Sequence, residues 1–162
     1  MPASKHSGDV TGTAPLSQLD TTARLRGVIG RLHRRLRPTA AGTAAGLTPT
    51  RSSVLLAVAR AGPVRLSELA DSEGLNPTML SRVISSLVAD GLLARANDQG
   101  DRRAAWVKAT AAGRRLAERM RRERTAALNL ALDGLVQADR TRIEKALPAL
   151  EQLAEQLKRA RA

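Results

Sequence analysis

Thr78, Ser81, Arg82 and Ser85 follow one another at spacings of three, one and three residues, and further along the chain stands Asp101-Arg102-Arg103. Hydroxyls both donate and accept, and a guanidinium presents a planar fork of donors, so such a surface can engage many acceptors at once. The base edges and phosphates of a nucleic-acid duplex offer those acceptors, and Arg pairs bidentately with guanine in the major groove. Residue patterns for catalysis are missing. The sequence has no Gly-rich phosphate loop with a Lys, no G-x-S-x-G elbow, no H-E-x-x-H and no His beside a candidate nucleophile, so an enzyme is not expected. His6 and His33 lack a second ligand at metal spacing, and cysteine is absent, which rules out disulfides, thiolate chemistry and Cys-based metal sites; no cofactor is expected.

The element that must present these side chains is a helix. Leu80, Val83, Ile84, Leu87 and Val88 recur at i, i+3, i+4, i+7 and i+8, one stripe of a 3.6-residue period. At about 100° per residue, the opposite stripe holds Thr78, Arg82, Ser85 and Ala89, with Ser81 and Met79 on its flanks. Asn76 suits the N-cap, Pro77 the first helical position and Gly91 the C′ stop. The dipole's positive end and the free first-turn amides then point where an anion could sit. Upstream, SELADSEG (67–74) reads as a shorter helix capped by Ser67, with Leu69 and Ala70 inward, and Gly74-Leu75-Asn76 makes a tight turn into the second helix. Two helices so joined form a helix-turn-helix, whose second member enters the major groove. Downstream, Leu92–Ala96 and Arg103–Ala109 can pair as a hairpin across the turn formers Asn97-Asp98-Gln99-Gly100-Asp101, with Val64–Leu66 as a third short strand.

Ser81 and Arg82 are the best base-edge candidates, with Ser85 and the flanking Met79 on the same surface, while Thr78, Asn76 and Ser67 near helix starts would set register through phosphates. Of Arg102 and Arg103, one would enter the minor groove and the other pair with Asp101 or a phosphate; which does which stays open. Arg95 could reach a phosphate or be an ordinary surface residue. The plainer alternatives are a solvated helix face and a loop solubilised by charge. Arg114, Arg115, Arg119, Arg121, Arg122 and Arg124 read as a solvated basic face, with Glu118 placed to pair with Arg122. Trp106, the single aromatic, should lie on the strand face opposite Val107 and pack against neighbouring helices.

Composition is compatible with this. A chain of 162 residues, 43% hydrophobic, can build one domain with an ordinary core, and a net charge of +12 attracts polyanions. Arg far outnumbers Lys in an Ala-rich chain without Phe or Tyr, a pattern of coding bias that weakens any single Arg as a signal. The longest apolar run, Val54–Ala59, is far below the roughly 20 residues needed to span a bilayer, and the N-terminus lacks the apolar region of a signal peptide. No membrane association and a cytoplasmic location are expected.

Residues 1–18 are expected to be a disordered tail, and 19–162 a single domain. A helix over 20–37 carries the stripe Leu25, Val28, Ile29, Leu32 and Leu36; Thr39–Gly46 is a small-residue connector; Thr48-Pro49 opens a helix to Ala61; and Gly62-Pro63 breaks it. Thr110 caps a long helix to about 133, and a last helix covers 138–160 with Ile143, Leu147, Leu150, Leu153 and Leu157 on one side. Pro148 should kink that helix or cost it about 3 kcal/mol. The three terminal helices carry more Leu and Ala than one small domain can bury. A dimer through 20–37, 110–133 and 138–160 is the economical use of that surface, and two-fold symmetry would set two recognition helices about 34 Å apart on a pseudo-palindrome.

The run Pro77-Thr78-x-x-Ser81-Arg82-Val83-x-x-x-Leu87-x-x-x-Gly91-Leu92-Leu93-x-Arg95, then Asp98-x-x-Asp101-Arg102-Arg103-Ala104, then Val107-x-x-Thr110-x-x-Gly113, resembles the MarR family of multiple-antibiotic-resistance regulators, as does Leu47-Thr48-Pro49. The resemblance covers roughly Leu19 to the C-terminus. It implies a mainly α fold with a small β-hairpin wing: a winged helix-turn-helix domain (47–110) plus terminal dimerisation helices. It also implies a homodimeric regulator of double-stranded DNA, usually a repressor, released when a small-molecule effector, often a lipophilic anion, binds between the dimerisation helices and the winged domain. With so few aromatics, an effector here would be held by aliphatic side chains and Arg. Two other classes stay open, an architectural DNA-binding protein of weak specificity and a winged-helix protein-interaction module.

Overall fold

The structure, a computed structural model, describes residues 18–97 and 105–160. The tail expected over 1–18 falls outside these residues but for Gln18, and so does the Asp101-Arg102-Arg103 wing tip. In chain order the elements are α1 (Gln18–Leu36), α2 (Ala40–Ala44), α3 (Pro49–Ala61), β1 (Val64–Arg65), α4 (Leu66–Glu73), α5 (Pro77–Ala89), β2 (Leu93–Asn97), β3 (Ala105–Ala109), α6 (Ala111–Asp133) and α7 (Gln137–Arg159). The chain divides into two compact units, one ending at Arg35 and the other beginning at Leu36.

In the second unit, α3, α4, α5, the sheet and the first half of α6 enclose one core. Val54, Leu55 and Val58 of α3, Leu69 of α4, Leu80, Ile84 and Leu87 of α5, Leu93 and Val107 of the sheet, and Leu116 and Met120 of α6 are all buried. Each such side chain contributes about 1.5–3 kcal/mol through removal from water. The sheet is antiparallel in the order β1-β3-β2, with Val64 opposite Val107 and Leu93 opposite Ala109.

Local chemistry explains most element ends. Thr48 caps α3 through its side chain, which accepts from Arg51 N–H at 3.3 Å, and Thr110 caps α6 by accepting from Gly113 N–H at 3.0 Å. α5 closes in a Schellman motif, in which Leu92 N–H donates to Leu87 C=O and Gly91 N–H to Val88 C=O, both at 2.9 Å. That turn needs a left-handed residue, and Gly91 supplies it at φ 69°.

Several boundaries differ from the sequence expectations. Thr39–Gly46 is not merely a connector: it contains α2, because Thr39 Oγ1 accepts from Gly42 N–H and the distant Glu123 carboxylate accepts from Ala41 N–H at 3.1–3.2 Å. Ser67 is not the cap of α4. Leu66 is already helical, because β1 pairs with β3 only over Val64 and Arg65; Arg65 stands at the N-cap without a side-chain cap bond, and Ser67 is exposed in the first turn. β2 begins at Leu93 rather than Leu92, whose amide is engaged in closing α5. β3 is described from Ala105, and residues 103 and 104 of the expected strand lie outside the described part. Trp106 does lie opposite in face to the buried Val107, and the Arg65 guanidinium stands 5.2 Å from its ring centroid.

The α6 run is not uniformly solvated. Arg114 donates to Ala109 C=O at 2.7 Å, Arg121 to Leu56 C=O at 3.4 Å and Arg124 to Arg37 C=O at 3.1 Å, while Arg115, Arg119 and Arg122 are exposed. Glu118 pairs with Arg121, at 3.8 Å, and not with Arg122. α7 continues through Pro148 without a break. No helix of the described residues is long and apolar enough to cross a membrane.

Candidate nucleic-acid interface

The site is built on the start of α5. Asn76 Oδ1 accepts from Met79 N–H at 2.7 Å, so the cap residue also orders the first turn, and Pro77 follows without losing a donor that the helix needs. Leu80, Ile84 and Leu87 are buried, with Val83 and Val88 half-buried beside them; Asn76, Thr78, Met79, Ser81, Arg82 and Ser85 are all exposed. The amphipathic division expected from spacing is therefore present. Asn76, Thr78, Met79, Arg82 and Val83 line a shallow cleft of about 570 Å³ along this face.

Arg95 belongs to the same surface. In β2 it lies opposite Val107, on the sheet face turned toward the core, and its Nη2 donates to Ser85 Oγ at 3.3 Å. The wing strand and α5 thus share a contact that places one more guanidinium beside the hydroxyls. Ser67, on α4, makes no hydrogen bond to these groups among the described residues. Asp101, Arg102 and Arg103 lie beyond the described part of the wing.

The far end of α5 is anchored by residues that sequence reasoning passed over. Asp90 at the C-cap pairs with Arg51 of α3, whose other terminal nitrogen donates to Gly46 C=O at 3.2 Å. An acidic group at a helix C-terminus and a cation at the third position of another helix both oppose their macrodipoles. Two charges at the wrong ends are the sequence signal that could have revealed the pair. Thr110 completes the anchor: its hydroxyl donates to Gly91 C=O at 2.7 Å and its N–H to Leu92 C=O at 3.1 Å. α5 is therefore fixed at its C-terminal end and presents its N-terminal end to solvent.

A second, smaller cleft of about 240 Å³ lies between α3, α4 and α6, lined by Ser53, Leu56, Ala57, Arg60, Glu73, Arg121 and Arg124. Ser53 donates to Glu73 Oε2 at 2.6 Å within it. Burial, with a contribution from the neighbouring Arg37 cation, lowers the Arg124 pKa below its ordinary value. Arg124 Nε is buried without a hydrogen-bond partner among the described residues.

Two helices joined by a tight turn, followed by an antiparallel hairpin that completes a three-stranded sheet, define a winged helix-turn-helix protein. Residues 45–104 match the family model described as the MarR family, a family of transcription regulators, some of them ligand-responsive. Over this segment the chain is similar to that family. No curated protein sequence matches it. Its fold is similar to that of RV1404 from Mycobacterium tuberculosis, with 20% identity over 86% of this chain and 95% of that one and a TM-score of 0.74. Apo MarR from E. coli is similar at 21% identity over 86% and 98% of the two chains, with a TM-score of 0.69. NadR, solved in complex with 4-hydroxyphenylacetate, is similar at 19% identity over 93% and 97%, with a TM-score of 0.61.

Proposed function

We propose that this protein is a sequence-specific DNA-binding transcription regulator, acting in the cytoplasm as a homodimeric repressor on a pseudo-palindromic operator. The observation that carries the reading is the exposed face of α5, where Thr78, Ser81, Arg82 and Ser85 surround an open helix start and Arg95 of the wing strand joins them. Such a face offers Arg for guanine edges and hydroxyls for bases and phosphates, over an N-terminus that itself attracts phosphate. The net charge of +12 supplies the long-range attraction. Ser81 and Arg82 read bases; Asn76 and Thr78 set register, and Ser67 on the preceding helix reaches backbone phosphate; Arg102 and Arg103 act at the minor groove and its phosphates.

Support for the homodimer comes from the apolar side chains left uncovered in a single copy. Val28, Ile29 and Leu32 of α1 and Ile143, Leu147, Leu150, Leu153 and Leu157 of α7 are exposed. Runs of this extent on soluble proteins mark interfaces. For an effector, the cleft with Arg60, Arg121 and Arg124 suits a small organic anion, the class of 4-hydroxyphenylacetate in the NadR structure. A ligand there would act by binding better to the state that does not fit the operator.

The experiment is binding of the purified protein to its own upstream DNA and to scrambled duplex over a salt series. Regulation requires a preference of about 10³-fold or more for one site, with log affinity falling by about 0.9 per log unit of salt for each phosphate neutralised. Equal affinity for both duplexes would leave an architectural protein, and no binding a protein-interaction module; either result overturns the proposal.

A further inference from the structure

Met79 is chemically out of place on the face just described. Among the described residues between 37 and 127 it is the one large hydrophobic side chain that is exposed, at 46%; the others lie on α1, on α7 and around the end of α6. The terminal helices have a second copy as a possible cover, whereas Met79 stands among Asn76, Thr78 and Arg82 on a polar helix start. Its position is also well determined, because its N–H is held by the Asn76 side chain at 2.7 Å. If α5 enters the major groove, Met79 enters with it, and a groove lined with donors and acceptors has one prominent apolar group to offer: the C5 methyl of thymine. An unbranched, polarizable thioether with three rotatable bonds can lie against a methyl in several geometries, which suits a contact that must form as the duplex settles.

We propose that Met79 is a specificity-determining residue that packs on a thymine methyl in each half-site of the operator. The proposal rests on the DNA-binding reading above and adds to it the identity of one base. It also places that base. Met79 and Arg82 are three residues apart, so their Cβ atoms lie about 5–6 Å from each other on the helix, against a base-pair rise of about 3.4 Å. The thymine therefore lies one or two base pairs from the guanine that Arg82 reads.

The test uses the full chain and the upstream duplex it selects. Each thymine is replaced in turn by deoxyuridine, which removes only the methyl, and affinities are measured for the wild type, Met79→Ala and Met79→Leu. One methyl contact corresponds to about a fourfold loss per half-site, and about fifteenfold when both half-sites carry deoxyuridine at that position. The expected pattern is a single sensitive position per half-site, its loss absent in Met79→Ala and retained in Met79→Leu. Because Met79 is exposed, unchanged thermal unfolding of Met79→Ala separates this effect from folding. If the wild type prefers its operator but tolerates deoxyuridine everywhere, or if Met79→Ala suffers the same loss, Met79 does not read thymine and the DNA-binding reading stands. If the wild type shows no preference for any upstream duplex, both fall together.

Discussion

Replacing Gly113 by Ala should weaken the fold, although Ala is the better helix former. Gly113 is the third residue of α6, and a Cβ built on it would stand 2.0 Å from Leu92 O, 3.0 Å from Leu92 C and 3.3 Å from Leu55 Cδ1. A carbon and a carbonyl oxygen approach to about 3.3 Å at best, so the two backbones would have to part by more than an ångström. Leu92 C=O is not free to move, since it accepts from the Thr110 N–H at 3.1 Å and the Thr110 hydroxyl at 3.2 Å. Loss of those bonds costs about 1 kcal/mol each, and overpacking at a buried position a further 1–3 kcal/mol. Ala regains about 1 kcal/mol of helix propensity, which leaves a net destabilisation of roughly 2–4 kcal/mol. For a chain of this size that is a fall in Tm of roughly 5–15 °C. The assay is thermal and urea unfolding at fixed protomer concentration, with Gly134→Ala as the control. Gly134 sits at φ −76° with its nearest foreign atom 3.6 Å from a built Cβ, so Ala there should be neutral or stabilise by about 0.4–1 kcal/mol. A Gly113→Ala protein as stable as the wild type would refute the close approach of α6 to the end of α5.

Two further outcomes can be checked with the same measurements. Asp90→Asn or Arg51→Met should each lower stability by about 0.5–1.5 kcal/mol, modest because Asp90 is half exposed, and should weaken operator binding through loss of the α5 anchor. The double exchange Arg51→Asp with Asp90→Arg puts both charges at the favourable dipole ends and should recover most of the loss; a double variant worse than both singles would remove the pair as the cause. Pro148→Ala should raise the helical circular dichroism signal and increase stability by up to about 3 kcal/mol, and a lower Tm would mean that the Pro148 ring makes a contact the protein needs.

The division of α5 was legible because it depends on neighbours three and four residues apart. A period of 3.6 puts Leu80, Ile84 and Leu87 on one side and Thr78, Arg82 and Ser85 on the other whatever the rest of the chain does. The caps at Thr48, Asn76 and Thr110 were legible for the same reason, since a capping side chain serves an amide within its own turn. Ser67 shows where local rules lose: a strand pairing with residues more than forty positions away decided where α4 begins. The same limit hid α2, which a carboxylate 82 residues distant helps to cap.

By itself, then, the sequence determined the character of the exposed α5 face: which side chains line it, the order of the elements around it and the sign of the chain's net charge. Each of these follows from residue type and short-range geometry. The tertiary structure alone decided how that surface is held and completed. It brought Arg95 to Ser85, Arg51 to Asp90 and the α6 cap to the end of α5, and it buried Leu80 while leaving the adjacent Met79 exposed. Those contacts join positions ten to thirty-nine residues apart, where chain entropy lets a side chain meet any of many partners until the core selects one.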